Sequence, residues 1–185
     1  MKKLLLILPV IFLMSCVVAS EQLSNTLEVN EIDEYTGNNI KKTYWQHLSK
    51  DKKYSYFRFR KVNEQYFLHF KSITSDVFAI DEGENLYFKF SDGSVMKLYN
   101  PDYEISSYGE GSINLVGSSA LGIYLIIPIS KKEIETFSSK ELTGFRMIGN
   151  DGYREREIRK DFSQNVNRLA TLILNTKTNI EENSN

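Results

Sequence analysis

From residue 27 onward the chain is written in short alternations of apolar and polar positions, the period-two pattern of half-buried β-strands. Segments 27–36 and 40–48 flank Gly37-Asn38-Asn39, and segments 54–62 and 65–73 flank Asn63-Glu64, so each pair predicts a hairpin with turn chemistry at its tip. Segment 77–81 runs into the turn residues Glu82-Gly83-Glu84-Asn85. Segments 86–90 and 95–99 are then divided by Ser91-Asp92-Gly93-Ser94, and an Asp-Gly pair between two alternations is the strongest hairpin signal in the chain. Asn100-Pro101-Asp102 reads as a turn and 103–107 as a short strand, after which Gly109, Gly111, Gly117 and Gly122 punctuate a loop-rich stretch. Segment 123–129 is apolar on both faces, as expected of a strand at the centre of a fold. A last hairpin joins 142–148 to 153–158 across Gly149-Asn150-Asp151-Gly152.

Two stretches break this period. Ser130 and Glu133 stand at capping-box spacing and open a short helix reaching about Phe137. Phe162, Val166, Leu169, Ala170 and Ile173 recur at helical spacing and predict an amphipathic helix over 161–175. No helices lie between the strands, which excludes a parallel α/β sheet. The expected fold is mainly β (α+β): an antiparallel meander of about ten short strands, as a sandwich or incomplete barrel, with one short helix and the C-terminal helix packed on it. Residues 27–177 form this single domain, and 178–185 a polar disordered tail. A span of that length buries about two thirds of its unfolded surface, so it needs no disulfide or metal staple.

The first residues follow another pattern. Lys2 and Lys3 precede an apolar run from Leu4 to Met14, and small residues follow. This is the layout of a signal peptide. Extended to Ala19 and wound as a helix, the run reaches only about 24 Å against a hydrocarbon core of about 30 Å, and Pro9 interrupts it. Leu13-Met14-Ser15-Cys16 resembles the lipobox of bacterial prolipoproteins, with Met14 at a position where that pattern prefers a smaller residue. The resemblance implies removal of residues 1–15, a thioether-linked diacylglycerol on the Cys16 sulfur and a further acyl chain on the new amino group. Residues 16–26 then tether lipid to domain, and two or three acyl chains hold a protein stably where one is marginal. No Asp follows Cys16 and no acidic run follows the tether's start. By the same resemblance the expected site is the outer membrane, facing the periplasm. The alternative is an ordinary leader cut after Ala19 or Ser20, which discards Cys16 and releases a soluble secreted protein. Beyond residue 16 the chain resembles small bacterial lipoproteins only in layout.

Charge and composition remove several functions. With 23 basic and 24 acidic residues the chain has no basic excess for gripping nucleic acid. Its one cysteine, Cys16, leaves no internal disulfide, no CxxC pair and no thiolate zinc site. Gly117 and Gly122 have phosphate-loop spacing, but Ile123 and Tyr124 stand where Lys and Ser or Thr must follow. Gly109 and Gly111 begin a dinucleotide pattern whose third glycine position holds Asn114. His47 and His69 are the only histidines, so a three-histidine zinc site is impossible, and no Gly-x-Ser-x-Gly elbow supports a serine nucleophile. His69, in phase with Phe67 and Lys71, reads as a half-exposed sheet residue. No metal or cofactor is expected. Glu28, Glu31, Asp33 and Glu34 crowd the first hairpin, and Glu155 and Glu157 alternate with Arg154 and Arg156; both groups read as solvated strand faces with charge pairing. Because a glycosidase needs only two carboxylates, an envelope hydrolase stays open.

One surface feature points to a ligand. Trp45, Tyr54, Tyr56 and Tyr66 lie on adjacent hairpins with Arg58 and Arg60, and Tyr56, Arg58 and Arg60 share one strand face while Phe57 and Phe59 share the other. If the phenylalanines face the core, the opposite face offers flat rings and guanidinium groups suited to a sugar or a protein partner. The expected function is a non-enzymatic, membrane-tethered module that binds a protein or glycan. The rivals are a small hydrolase with a carboxylate pair, a structural subunit of an envelope assembly, and a plain solvated sheet face.

Overall fold

The computed structural model describes residues 26–49, 55–110 and 120–177. Cys16, the expected leader at 1–15, most of the expected tether at 16–26, Tyr54 and the expected tail at 178–185 lie outside the described residues. The strands are β1 (Val29–Ile32), β2 (Asn39–Lys42), β3 (Gln46–Ser49), β4 (Ser55–Val62), β5 (Gln65–Ile73), β6 (Ala79–Ile80), β7 (Gly83–Phe90) and β8 (Val95–Asn100). After these come β9 (Glu104–Ile105), β10 (Ser107–Tyr108), β11 (Leu121–Ile129), helix α1 (Lys131–Ser139), β12 (Leu142–Gly149), β13 (Gly152–Glu157) and helix α2 (Lys160–Asn175). The larger sheet runs β1-β2-β4-β5-β11-β10 with β3 also on β4; a second runs β13-β12-β7-β8; β6 and β9 form a two-stranded ribbon. All pairings are antiparallel. This is a mainly β, sandwich-like α+β fold, with no closed barrel among the described residues.

Turn chemistry fixes the hairpins. Asn63 takes the left-handed conformation, φ 53, that asparagine tolerates, and its side chain bonds Asn38 and the Asn39 amide of the neighbouring turn. At the β7–β8 turn Gly93 has φ +83, and the Asp92 carboxylate accepts from the Ser94 amide. The inner faces of the two sheets then meet through phenylalanines. Phe70 of the larger sheet meets Phe145 of the second edge-on at 5.2 Å. Phe137 of α1 reaches both, 5.6 Å from Phe59 and 5.0 Å from Phe88.

The helices close the core as the sequence periodicity requires. Ser130 and Glu133 form the capping box, and α1 buries Ile134 and Phe137. Helix α2 buries Phe162, Val166, Leu169, Ala170 and Ile173. Its Asn167 side chain donates to the carbonyls of Phe137 and Lys140 at 2.6 and 2.7 Å, satisfying the end of α1. The buried Lys41 ammonium donates to the Thr176 carbonyl just past α2, where the helix dipole favours a cation. No helix among the described residues is long and apolar enough to cross a membrane.

Three local expectations are corrected. Segment 40–48 is not one strand: the Thr43 hydroxyl accepts the Phe59 amide at 3.0 Å, interrupting the ladder between β2 and β3. Segment 103–107 divides between β9, which pairs with β6, and β10, which pairs with β11. Strand β11 is not buried on both faces; Ile123, Leu125 and Ile127 face the core, but Ile126 is 44% exposed because only one face of its sheet is packed.

Candidate functional site

The outer face of the larger sheet follows from strand register. The two-residue turn at Asn63-Glu64 pairs Val62 with Gln65, and counting back sets Arg60 opposite Phe67, Arg58 opposite His69 and Tyr56 opposite Lys71. Since Phe57, Phe59, Leu68 and Phe70 are buried in the core, those opposite residues project from the other side. Strand β11 adds Tyr124 beside Lys71 and Ile126 beside His69, and β2 adds Lys42 beside Arg60. Four cations, Lys42, Arg58, Arg60 and Lys71, thus share one face of a chain whose formal net charge is −1.

The break at Thr43 lets Trp45 lie across this face. Its ring is 6.4 Å from His69 and 6.0 Å from Tyr124, both edge-on. The Arg58 guanidinium sits 4.4 Å over the indole and the Lys71 ammonium 5.5 Å from it, with Lys71 also 4.8 Å from the Tyr124 ring. His47 lies against Tyr56, the rings 4.7 Å apart and tilted by 47°. The rings therefore brace cations by cation–π contact instead of lying bare for sugar stacking. What the face presents is positive charge on a rigid aromatic frame.

His69 is the point of greatest departure from the sequence reading. It is 3% exposed, not half-exposed, because Trp45, Tyr124 and Arg58 cover it. Its Nδ1 lies 2.5 Å from the Tyr124 hydroxyl, while Nε2 is buried with no partner. Burial pushes its pKa down to about 3, and Arg58, Arg60, Lys42 and Lys71 add to the depression. Burial and the nearby Arg58 also lower the Lys71 pKa, opposed by Glu110. A depressed histidine pKa means the unfolded chain takes up the proton first, so stability present above pH 6.5 is lost as the pH falls towards 3. The His69 ring-carbon NMR signal is expected to stay that of neutral imidazole from pH 8 to pH 5; titration of this residue near 6.5 would show that the covered geometry is wrong.

Between β1, β2 and β4 this face sinks into a pocket of about 280 Å³ that includes Ile40, Lys42, Arg58, Arg60, Glu31 and His69. At its rim Glu28 pairs with Lys42 at 3.5 Å and Arg58 at 3.2 Å. Across β11 lies a cleft of opposite sign, about 290 Å³, bounded by Asp102, Glu104, Glu110 and Tyr124, where burial and then Asp102 and Glu110 raise the Glu104 pKa. The second sheet carries a third groove of about 560 Å³, with Glu155 gripped by Arg146 at 2.6 and 3.0 Å. Among the described residues no three His, Cys, Asp or Glu side chains gather as a metal site.

Of the sequence candidates, Trp45, Tyr56, Arg58 and Arg60 come together on this face. Tyr66 does not: it is buried on the core side of β5, where Leu68 and Phe70 also point. Tyr54 and the lipidation candidate Cys16 lie outside the described residues. The sequence reading missed Lys42, Lys71 and Tyr124. Lys71 was recoverable from the Asn63-Glu64 turn alone, which sets it opposite Tyr56. Neither a known protein family, nor a curated protein, nor a solved structure matches this chain.

Proposed function

We propose that this chain is a bacterial envelope protein anchored by lipid on Cys16, whose β domain is a non-enzymatic module binding an acidic glycan on the outer face of its larger sheet. The observation that carries the reading is the gathering of Lys42, Arg58, Arg60 and Lys71 on one sheet face, with Arg58 and Lys71 against Trp45 and Lys71 against Tyr124, in a chain with no overall positive charge. Fixed cations beside aromatic edges suit a sugar polymer carrying carboxylate or phosphate groups, and the approach of such a polymer is screened by salt. The anchor rests on the Leu13-Met14-Ser15-Cys16 pattern at the end of an apolar leader.

Binding is tested by retention on an immobilised polyuronate against a neutral glucan at low ionic strength. The protein should be held by the first only, and charge reversal at Lys42→Glu with Arg60→Glu should abolish retention at unchanged melting temperature. Equal passage of the native protein through both matrices would end the proposal. Cleavage of the polymer, lost in Glu104→Gln, would replace the module by the hydrolase. For the anchor, a fatty-acid analogue fed to the cells should label the native protein and leave Cys16→Ser unlabelled. Label persisting on Cys16→Ser would remove the lipid assignment.

A further inference from the structure

The pocket beside β2 holds an unusual balance of groups. His69 is 97% buried by its 3% exposure, and its Nε2 has no hydrogen-bond partner. The neighbouring Arg58 Nε is likewise buried and unpartnered, although the outer end of that guanidinium pairs with Glu28. Orphaned buried polar atoms are costly, so two at one pocket need a reason. Assigning the Tyr124 hydroxyl as donor to Nδ1 places the hydrogen of the neutral ring on Nε2. Both orphans are then N–H donors, set against the walls of a pocket that Lys42 and Arg60 also line. Arg60 has no ion-pair partner among the described residues, whereas Lys42 and Arg58 share one carboxylate, Glu28. Three cations and the His69 N–H converge here against a single lining carboxylate, Glu31, with Val29 and Ile40 as the apolar part of the wall and Glu28 outside it.

We propose that this pocket is the subsite for one oxyanion of the ligand, a carboxylate or a phosphate group. Arg60, Lys42 and Arg58 hold it over His69, and Glu28 occupies two of those cations until the ligand displaces it. The inference rests on the binding reading above and specifies where the charged group sits. It also gives Glu28 a role: an internal carboxylate standing in for the ligand's own, at the point where the tether joins β1. A covering carboxylate lowers the affinity for a competing anion by what its own pairing contributes, which for a partly exposed pair is modest.

The test uses the full-length protein with two small probes, inorganic phosphate and glucuronate, and reads the His69 ring signals by NMR together with the dissociation constant. The expected result is a saturable shift at His69, with its pKa moving up from about 3 as the bound anion favours imidazolium. Arg60→Gln should weaken both probes about tenfold, and Glu28→Gln should tighten them about two- to fivefold. Preference for one probe assigns the group as phosphate or carboxylate. No shift at His69 with either probe in the native protein would overturn the subsite, a result that does not depend on any variant folding. Affinity indifferent to both Arg60→Gln and Glu28→Gln would overturn it too. Polyuronate retention insensitive to these two changes would discard the subsite and leave the glycan reading standing. Small anions seated at His69 without polyuronate retention would keep the subsite and discard the glycan, and an oligoglutamate peptide displacing the probes more strongly than the polyuronate would make the ligand a protein.

Discussion

Gly149→Ala is expected to lower the melting temperature by about 10 °C, corresponding to a loss of ~3 kcal/mol. Gly149 ends β12 where the chain passes the ribbon strand β6. A Cβ there would fall 2.4 Å from the Ala79 carbonyl oxygen and 2.4 Å from two ring carbons of Phe78. Neither obstacle can retreat. The Ala79 carbonyl accepts the Asn150 amide at 3.0 Å, and the Ala79 amide donates back to the Asn150 side chain at 3.3 Å. Phe78 is fully buried, held through its backbone to Ser106 and covered by the Arg154 guanidinium at 4.5 Å. Overpacking of this kind falls among the large single-residue effects because the clash is with backbone and a packed ring. Gly144→Ala is the matched control, since its Cβ would meet only the Arg156 carbonyl, at 3.2 Å. Thermal unfolding followed by circular dichroism checks both; equal midpoints for the two variants would mean that β6 does not sit against β12 as described.

Phe137→Ala should cost about 3–5 kcal/mol by leaving a cavity where the two sheets and α1 meet. The Phe137 ring is 1% exposed and touches Phe59 from one sheet and Phe88 and Phe90 from the other, at 5.6, 5.0 and 6.1 Å. Removing it forfeits the transfer energy of the ring, its edge-on contact with Phe88 and its tilted contacts with Phe59 and Phe90, and the sheets cannot close the gap without breaking their own pairing. Phe137→Leu should recover more than half of the loss. Denaturant titration with a midpoint for Phe137→Ala no lower than that of the helix-surface change Ser138→Ala would show that Phe137 does not join the layers.

How much of this was readable in the chain depends on the range of the contacts. Hairpins closed by Asn63-Glu64 and Asp92-Gly93, the capping box at Ser130 and Glu133, and the stripe from Phe162 to Ile173 are local rules, and each stands where the sequence put it. The β4–β5 hairpin even carries its register in its turn, so the facing of Arg58 and His69 was available from residue numbers alone. What local pattern could not supply was the pairing of β11 with β5, 48 residues after the end of β5, which brings Tyr124 and Ile126 against Lys71 and His69. Nor could it supply the interruption at Thr43 that turns Trp45 over His69, because an alternating segment gives no sign of where its ladder breaks. His69 reads as half-exposed for that reason: its own strand leaves it on an outer face, and Trp45 and Tyr124, which complete the cover begun by Arg58, lie outside its hairpin. The facing of Tyr66 was legible from the same register, which pairs it with Lys61 on the side of Phe57 and Phe59 and so sends it to the core once those phenylalanines face inward.

The measurement that bears most directly on the binding face is a map of backbone amide shifts in the full-length protein as an acidic oligosaccharide is added. Changes should gather on β2, β4, β5 and β11 around Lys42, Arg58, Arg60, His69 and Lys71, and saturate together. A quiet outer face, with shifts appearing instead along the Arg146–Glu155 groove or around Glu104, would contradict the account.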